Sequence, residues 1–235
     1  MGYKMKKNPA KITNHGGRRS VDSIKYIVIH YTGNDGDTDE NNGKYFHNNT
    51  VKASAHYFVD SDSVTQSVPD NYVAWSVGGS KYGNCSKTGG GKCYGKCTNA
   101  NSISIELCDD VKNGKIYPPK ATIENAISLT KKLMKKYCIP KSRVIRHFDV
   151  NGKSCPEYWC GSTKRNKKWK TEFWNKLESK SAEKPASKNP AKKSNMQIAK
   201  EVLDGKFGNG DSRKKRLKAA GYDPEEIQRL VNKMS

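Results

Sequence analysis

The chain has 235 residues, a formal net charge of +21 and 34% hydrophobic residues. This length accommodates one domain with a full core and a small second unit, and the mean hydropathy of −0.92 predicts linker or solvated surface elsewhere. No run of about 18 apolar residues occurs, which excludes a membrane-spanning helix. The positive charge favours an anionic partner, such as nucleic acid, an anionic membrane surface or an anionic cell wall.

The N-terminus and the cysteines bear on the compartment in which the chain is made. The N-terminus carries lysines with no apolar stretch behind them, so we expect no secretory signal peptide and a cytosolic product. Seven cysteines are present, and an odd number in a reducing compartment argues against a full disulfide framework.

The first 50 residues contain one strong strand signal. Residues 1–20 are basic and polar, and we expect a loose arm. Residues 24–31 favour β-structure and include the apolar run Ile27–Ile29, which predicts a central strand covered on both faces. His30 lies at the end of this strand, where it is either a hydrogen-bonded core histidine or a functional one. A short helix is predicted over 41–48.

A β-hairpin is predicted next. Its strands are residues 53–59 and 64–68, joined by a polar turn of aspartates and serines. His56 lies on the first strand. Taken alone, this histidine is as compatible with a surface or hydrogen-bonded strand position as with a functional one.

A loop rich in glycine and cysteine follows, over residues 78–101. Cys85, Cys93 and Cys97 in this loop lack the two-residue separation of paired zinc knuckles. We therefore expect free thiols in a substrate-facing loop. The alternative is a second, structural metal site completed by Cys108.

Residues 102–108 alternate cleanly, which predicts a strand with one apolar face. Ile103, Ile105 and Leu107 share that face, and Glu106 points to the other side. Glu106 is either part of a structural ion pair or a carboxylate near a metal-bound water.

The last third of the main domain supplies a helix, a short strand and a cluster of aromatic residues. Residues 121–138 have an apolar face and lysines in the last turns, which predicts a helix. A strand over 143–146 then leads to His147. A cluster of aromatic residues follows, which favours a closing helix packed on the core. The alternative is a platform that binds carbohydrate. The aromatic residues are Trp159, Trp169, Phe173 and Trp174.

Two separated stretches combine into a candidate zinc site. His30, His147 and Cys155 supply two imidazoles and a thiolate, and three protein ligands leave one open position for an activated water. Glu106 can accept the proton of that water and pass it to a leaving amine. The ammonium of Lys153 can stabilise an oxyanion, although it is otherwise a solvated lysine in a lysine-rich chain. These parts together predict a zinc hydrolase.

Four motifs carry a family resemblance, in the order Ile27–Thr32, Ser54–Phe58, Ser104–Leu107 and Arg146–Val150. They resemble the zinc-dependent N-acetylmuramoyl-L-alanine amidases of phage and bacteria, which share their fold with peptidoglycan-recognition proteins. The resemblance extends over residues 20–175. It implies an α/β domain with a mixed β-sheet flanked by helices, and hydrolysis of the amide bond between N-acetylmuramic acid and L-alanine in peptidoglycan.

The resemblance also implies roles for individual residues. By position, His30, His147 and Cys155 match the ligands of one catalytic Zn²⁺, and Glu106 and Lys153 match the catalytic pair.

His56 stands where many relatives place a tyrosine near the metal, so it is a candidate proton-handling or oxyanion-binding group. Two features depart from the family. Arg146–Asp149 reads Arg-His-Phe-Asp instead of Gly-His-Arg-Asp, so the contacts of that second arginine are missing. The cysteine-rich insert at 85–97 is longer than the family core requires.

The C-terminal stretch has a different composition. Residues 176–195 are rich in Lys, Ser, Ala, Pro and Asn, which predicts a linker, and residues 196–235 predict three short helices. The latter stretch is similar to the three-helix cell-wall-binding repeat of some phage lysozymes and endolysins. The resemblance implies muropeptide binding through candidate residues Phe207, Gly208, Asn209, Asp211, Arg213 and Tyr222.

The two resemblances together describe a phage endolysin that acts on the peptidoglycan of a Gram-positive host. The main alternative is a peptidoglycan-recognition protein that binds without cutting, but such relatives typically lack the cysteine ligand, which is present here as Cys155. A zinc-containing nucleic-acid binder is the other alternative suggested by the charge. It would need paired zinc knuckles or a basic recognition helix, and the sequence contains neither, so we expect no nucleic-acid partner.

Overall fold

The computed structural model describes residues 2–178 and 193–234. Its strands are β1 (Lys4–Lys7), β2 (His15–Arg18), β3 (Tyr26–Asp35), β4 (Tyr57–Val59), β5 (Ser63–Gln66), β6 (Tyr72–Ala74), β7 (Ser102–Asp109) and β8 (Val144–Arg146). Its α-helices are α1 (Asp39–Asn48), α2 (Cys85–Thr88), α3 (Lys120–Tyr137), α4 (His147–Asn151), α5 (Thr163–Lys168), α6 (Asn195–Leu203), α7 (Gly210–Ala219) and α8 (Pro224–Met234). Most of the predicted linker lies outside the described residues.

The main sheet is mixed and has six strands in the order β1-β5-β4-β7-β3-β8. Strand β3 pairs in parallel with β7 on one side and with β8 on the other. This central position explains the continuous apolar run Ile27–Ile29, because a strand with neighbours on both edges and layers on both faces is fully buried. The β4–β5 pair is antiparallel, and β2 and β6 form a separate two-stranded sheet. The mixed sheet with flanking helices confirms the predicted fold class.

The main core lies between one face of the sheet and helix α3. Ile103, Ile105 and Leu107 of β7 belong to it together with Ile123 and Ile127 of α3. The alternation of β7 therefore predicted the buried face correctly. Burying an aliphatic side chain contributes roughly 1.5–3 kcal/mol, so this layer supplies much of the stability that holds the opposite face in place.

The aromatic residues near residue 170 close the core. Trp159 and Phe173 are fully buried, and the rings of Trp169 and Phe173 stack with centroids 5.0 Å apart. Helix α5 continues into the helical turns Trp169–Phe173 and Trp174–Leu177, which present these rings inward. The core-packing prediction is confirmed, because a carbohydrate platform would require exposed ring faces.

Two predictions about the N-terminal half are wrong. Residues 1–20 are not a loose arm, because β1 pairs in parallel with β5, and β2 pairs with β6. An edge strand whose side chains are mostly exposed has little apolar periodicity, so its sequence carries little signal. The first hairpin strand is also shorter than predicted. Regular pairing begins at Tyr57, so His56 lies just before β4.

The C-terminal module consists of helices α6–α8, as predicted. Its small core contains Ile198, Val202, Leu217, Ile227 and Val231. Helix α6 begins with a capping box, in which the Ser194 hydroxyl accepts from the Gln197 backbone amide and the Gln197 side chain accepts from the Ser194 amide. Across the two described ranges, we find no helix that is both long and apolar enough to cross a bilayer.

Candidate active site

Strand geometry brings the three predicted metal ligands together. His30 lies in β3, His147 begins α4 directly after β8, and Cys155 lies in the loop after α4. Because β3 and β8 are parallel neighbours, their carboxyl ends place the two histidines side by side. One candidate ligand atom from each residue lies within 4.8 Å of the others, and the His30 Nδ1 atom is 3.7 Å from the Cys155 Sγ atom. Among the described residues, this is the one His/Cys/carboxylate cluster that could hold a metal ion.

The hydrogen bonding of these residues fits a metal site. His30 Nε2 and both ring nitrogens of His147 are buried without a hydrogen-bond partner. A buried polar atom without a partner costs about 1–3 kcal/mol, so such a cluster is unfavourable unless another group satisfies it. Burial lowers the pKa of His147 to about 4, and the Lys153 ammonium acts in the same direction. Both imidazoles are therefore neutral, which is the form that binds a cation.

Cys155 completes a donor set that suits zinc. Burial, followed by the nearby Glu106 carboxylate, raises the pKa of the Cys155 thiol well above its ordinary value. A bound divalent cation reverses this effect, because a coordinating thiol is deprotonated by the metal. Two neutral imidazoles and a thiolate are typical ligands of a catalytic zinc site with one open position.

Glu106 faces the same site from the neighbouring strand. The register pairs His30 with Glu106, and the Glu106 Oε1 atom is 3.8 Å from the His30 Nδ1 atom. The other carboxylate oxygen is buried without a hydrogen-bond partner. Burial raises the pKa of Glu106 to about 8, whereas the Lys153 ammonium acts to lower it. Without a nearby cation this group is therefore mostly protonated at neutral pH, and a cation held by His30, His147 and Cys155 would favour its carboxylate form.

Lys153 lies in the loop between His147 and Cys155. Its side chain is exposed at the groove, and its backbone amide donates to the Asn151 side chain at 3.0 Å. The groove above the metal centre has a volume of about 610 Å³ and is lined by His30, Glu106, His147, Lys153 and Cys155, together with Tyr31, Trp75 and Ser76. The sequence did not single out Trp75 and Ser76, since a Trp-Ser pair in a loop has no distinctive chemical pattern.

The structure does not bring His56 to this groove. Its Nδ1 atom accepts from the Ser104 backbone amide at 3.1 Å, so its Nε2 atom carries the proton and donates to the Tyr72 carbonyl at 3.2 Å. The Arg19 guanidinium lies 2.9 Å from Nε2. Burial, and then the Arg19 charge, lowers the pKa of His56 to about 3. The predicted proton-handling role is corrected to a structural one, because both ring nitrogens are occupied by other groups.

The Arg-His-Phe-Asp departure has a structural compensation. Arg146 is buried and binds the Asp149 carboxylate through two nitrogens, at 2.9 and 2.7 Å. Arg146 also donates to the Asn166 side chain at 2.7 Å, and its backbone amide donates to Asp149 at 2.9 Å. Arg146, one position before His147, therefore holds the start of α4 in place. This fixes the position of His147.

The cysteine-rich insert packs against the loop that carries the site. Cys85, Cys93 and Cys97 are free thiols, as expected, and the thiols of Cys85 and Cys97 are buried. Cys108 lies elsewhere, 3.6 Å from the Asn42 side chain and in a cluster with Phe58. Within the described residues, the cysteines therefore form no second metal site.

Residues 20–158, more than half of the chain, match the family described as N-acetylmuramoyl-L-alanine amidase. The chain belongs to the N-acetylmuramoyl-L-alanine amidase family. It is 30% identical to the N-acetylmuramoyl-L-alanine amidase CwlL of Bacillus licheniformis over 85% of this chain and 54% of that relative. It is 36% identical to the amidase CwlA of Bacillus subtilis (strain 168) over 56% of this chain and 43% of that relative. The chain thus spans about half the length of the curated relatives it matches.

Two solved structures have a similar fold. The structure of PlyL is 25% identical, with a TM-score of 0.57 over 77% of this chain and 100% of that chain. A mutant endolysin from Bacillus subtilis is also 25% identical, with a TM-score of 0.56 over 75% of this chain and 99% of that chain. The predicted family is confirmed by these likenesses together with the sequence match.

The C-terminal module of this amidase-family chain matches the CW_7 repeat over residues 196–234. Phe207 and Tyr222 are partly buried against its core, and Gly208 is buried. Arg213 lines a groove of about 430 Å³ between α7 and α8 and donates to the Gly208 carbonyl at 2.8 Å.

Other candidate wall-binding residues lie at different places in the module. Asp211 is exposed in the first turn of α7. The backbone amide of Asn209 donates to Asp22 of the main domain at 2.6 Å, and Arg216 pairs with the same carboxylate at 2.7 Å. The structure therefore does not gather the predicted wall-binding residues into one groove.

Proposed function

We propose that this chain is a zinc-dependent peptidoglycan hydrolase that cleaves the amide bond between N-acetylmuramic acid and L-alanine. The observation that carries the proposal is the buried cluster of His30, His147 and Cys155. Three of its four imidazole nitrogens lack a hydrogen-bond partner, and the fourth, His30 Nδ1, lies 3.8 Å from Glu106. Relatives named N-acetylmuramoyl-L-alanine amidases support the same reaction.

The metal is proposed as one zinc ion held by His30, His147 and Cys155. When bound there, zinc supplies a Lewis acid and lowers the pKa of a coordinated water. Its positive charge, together with Lys153, would also lower the pKa of Glu106 from the raised value set by burial.

Glu106 is proposed as the general base and acid. In its carboxylate form it accepts a proton from the attacking water and then delivers that proton to the departing L-alanine nitrogen. Lys153 is proposed to stabilise the negative charge that develops on the carbonyl oxygen. Its position in the loop between two metal ligands keeps its ammonium at the groove, where its charge already lowers the pKa values of His147 and Glu106.

The domain division is proposed as a catalytic domain at 20–175, a linker at 176–195 and a wall-binding module at 196–235. A tethered binding module raises the local concentration of the catalytic domain at an insoluble substrate. The net charge of +21 suits a wall rich in anionic polymers, and the Bacillus relatives favour a Gram-positive wall as the target. We infer a phage endolysin-type lytic enzyme.

The decisive experiment uses isolated Gram-positive cell walls with the full-length protein, with and without a chelator. We expect new alanine amino groups without new reducing sugars, and only when zinc is available. Walls that bind the protein but release no amino groups, even after zinc is restored, would instead support a binding-only recognition protein.

The Glu106→Gln variant separates catalysis from metal binding. We expect its kcat to fall by at least about 10²-fold, since general acid–base catalysis typically contributes that much. Zinc content should remain at one ion per chain, as measured by elemental analysis. Normal turnover in this variant would remove Glu106 from the mechanism.

A further inference from the structure

A second groove adjoins the metal centre. It has a volume of about 620 Å³, and His147 and Lys153 line both concavities, so the two are continuous. One wall comes from the start of the loop at 78–101, just before the cysteine-rich insert, through Ser80, Lys81 and Tyr82. The opposite side includes Lys52 and Trp75.

The charge of this second groove has a single sign. Lys52, Lys81 and Lys153 line it, and no carboxylate does. All three side chains are exposed, and none has an ion-pair partner among the residues that the structure describes. The concavity above the metal differs, because Asp37 and Glu106 line it. Three cations around a concavity attract an anionic ligand more strongly than isolated surface lysines do.

The wall that contains Lys81 belongs to a loop that is hydrogen-bonded to α4. The backbone amides of Tyr82 and Cys93 donate to the carbonyls of Asn151 and Asp149, both at 2.8 Å. The Gly91 amide donates to the Phe148 carbonyl at 2.9 Å. These bonds hold the loop against α4 on both sides of helix α2.

Close packing at Cys85 strengthens the same attachment. Its buried thiol donates to the Asn151 carbonyl at 3.4 Å, and a Cβ atom added at Gly152 would meet its sulfur at 2.3 Å. Lys81 therefore lies on a wall that packs against the active-site loop. It follows the exposed Gly78 by three residues.

We propose that this groove is a carboxylate-binding subsite for the peptide stem, and that Lys81 makes the enzyme select stems with a free carboxylate near the scissile bond. The inference rests on the proposed amidase function. The substrate of such an enzyme has uncharged sugar rings on one side of the cleaved amide and a peptide on the other. Only the peptide carries carboxylates, so the cationic groove suits the peptide. Trp75 and Tyr82 add ring surface for its aliphatic parts.

The test compares two soluble muropeptides that differ only in whether the second stem residue carries a free or an amidated α-carboxyl group. Lys81→Met keeps the side-chain length and removes the charge. Lys87→Met is the matched control, because Lys87 is exposed on the same loop at 78–101 but does not line the groove. We expect Lys81→Met to raise KM roughly three- to ten-fold for the free acid and to leave kcat nearly unchanged. KM for the amidated muropeptide should not change, and Lys87→Met should affect neither substrate.

Binding is measured separately by calorimetry on Glu106→Gln protein, with and without Lys81→Met. The added substitution should weaken binding of the free acid by the same factor and leave the amidated form unaffected. Equal affinities of the two muropeptides in all variants would overturn the subsite, even if the wild type cleaves both. Lack of cleavage by the wild type together with carboxylate-dependent binding would overturn the proposed reaction and leave the subsite standing.

Discussion

Two buried polar clusters lie in the same domain, and they differ in how their polar atoms are satisfied. Around Asp70, the Tyr57 hydroxyl donates at 2.6 Å and the Lys136 ammonium at 2.9 Å, and the Tyr137 hydroxyl also donates. At the metal centre, by contrast, His30 Nε2, both His147 nitrogens and one Glu106 oxygen lack partners. A satisfied buried network stabilises a fold, whereas unsatisfied buried donors and acceptors are retained where they bind a ligand. The cluster around Asp70 is therefore complete by itself, whereas the cluster of His30, His147 and Glu106 has buried polar atoms left to bind another group.

The pKa values reflect the same contrast. Burial would raise the pKa of the Asp70 carboxyl, but the Lys136 charge and the two tyrosine hydroxyls lower it overall. Burial raises the pKa of Glu106 to about 8, because the opposing charge of Lys153 is too weak to offset it. Asp70 is therefore ionised by its own surroundings, whereas Glu106 needs a nearby cation to become a carboxylate at neutral pH.

The largest effect is expected at the unsatisfied cluster. Cys155→Ser should lose stoichiometric zinc and lower amidase activity by at least about 10³-fold, because both the Lewis acid and the activated water depend on the metal. Elemental analysis and the wall assay measure the two losses. Full zinc occupancy in Cys155→Ser would refute the ligand assignment.

At the satisfied cluster around Asp70 we expect a smaller effect, and it concerns stability instead of zinc binding. Asp70→Asn should lower the free energy of unfolding by about 2–3 kcal/mol, because it weakens three hydrogen bonds that end on a buried charge. Zinc content should not change. Denaturant unfolding gives the free energy, and Glu124→Gln is the control, since Glu124 forms only an exposed pair with Lys120.

The Asp70 network also predicts a pH dependence of stability. A carboxyl group whose pKa is lowered by folding stabilises the native state above its unfolded pKa, and this contribution is lost as the pH falls through the folded value. The loss should therefore begin below the ordinary aspartate pKa of 3.8. Asp70→Asn should reduce the slope of stability against pH in that range. An unchanged slope would contradict the lowered pKa.

The smallest effect is expected at His56, because both of its ring nitrogens already contact other groups of the protein. His56→Gln should lower the free energy of unfolding by about 1–2 kcal/mol, because the hydrogen bonds to Ser104 and Tyr72 would be weakened. Activity should stay within a few-fold of wild type, and zinc should be retained. A fall in kcat of more than about 10²-fold with zinc retained would restore the proton-handling role.

Local sequence was sufficient to single out the cluster of His30, His147 and Cys155 and to predict the central strand. The apolar run Ile27–Ile29 predicted β3, and the alternation around Glu106 predicted β7 and the direction of its side chains. Parallel neighbours bring their carboxyl ends to one edge of the sheet, so His30 and His147 meet there once the strands are assigned. Residue chemistry and strand period were therefore enough to predict this site.

Contacts between distant parts of the chain determined the remaining features. Only the fold brings Arg19 and Tyr72 to the ring of His56. The polar strand β1 has no periodic signal of its own, because its pairing with β5 uses backbone groups that every residue carries. The buried orientation of Cys85 likewise depends on α4, against which the insert packs. Side-chain identity indicates what a residue can do, and the partners it meets in the folded chain decide what remains available for it to do.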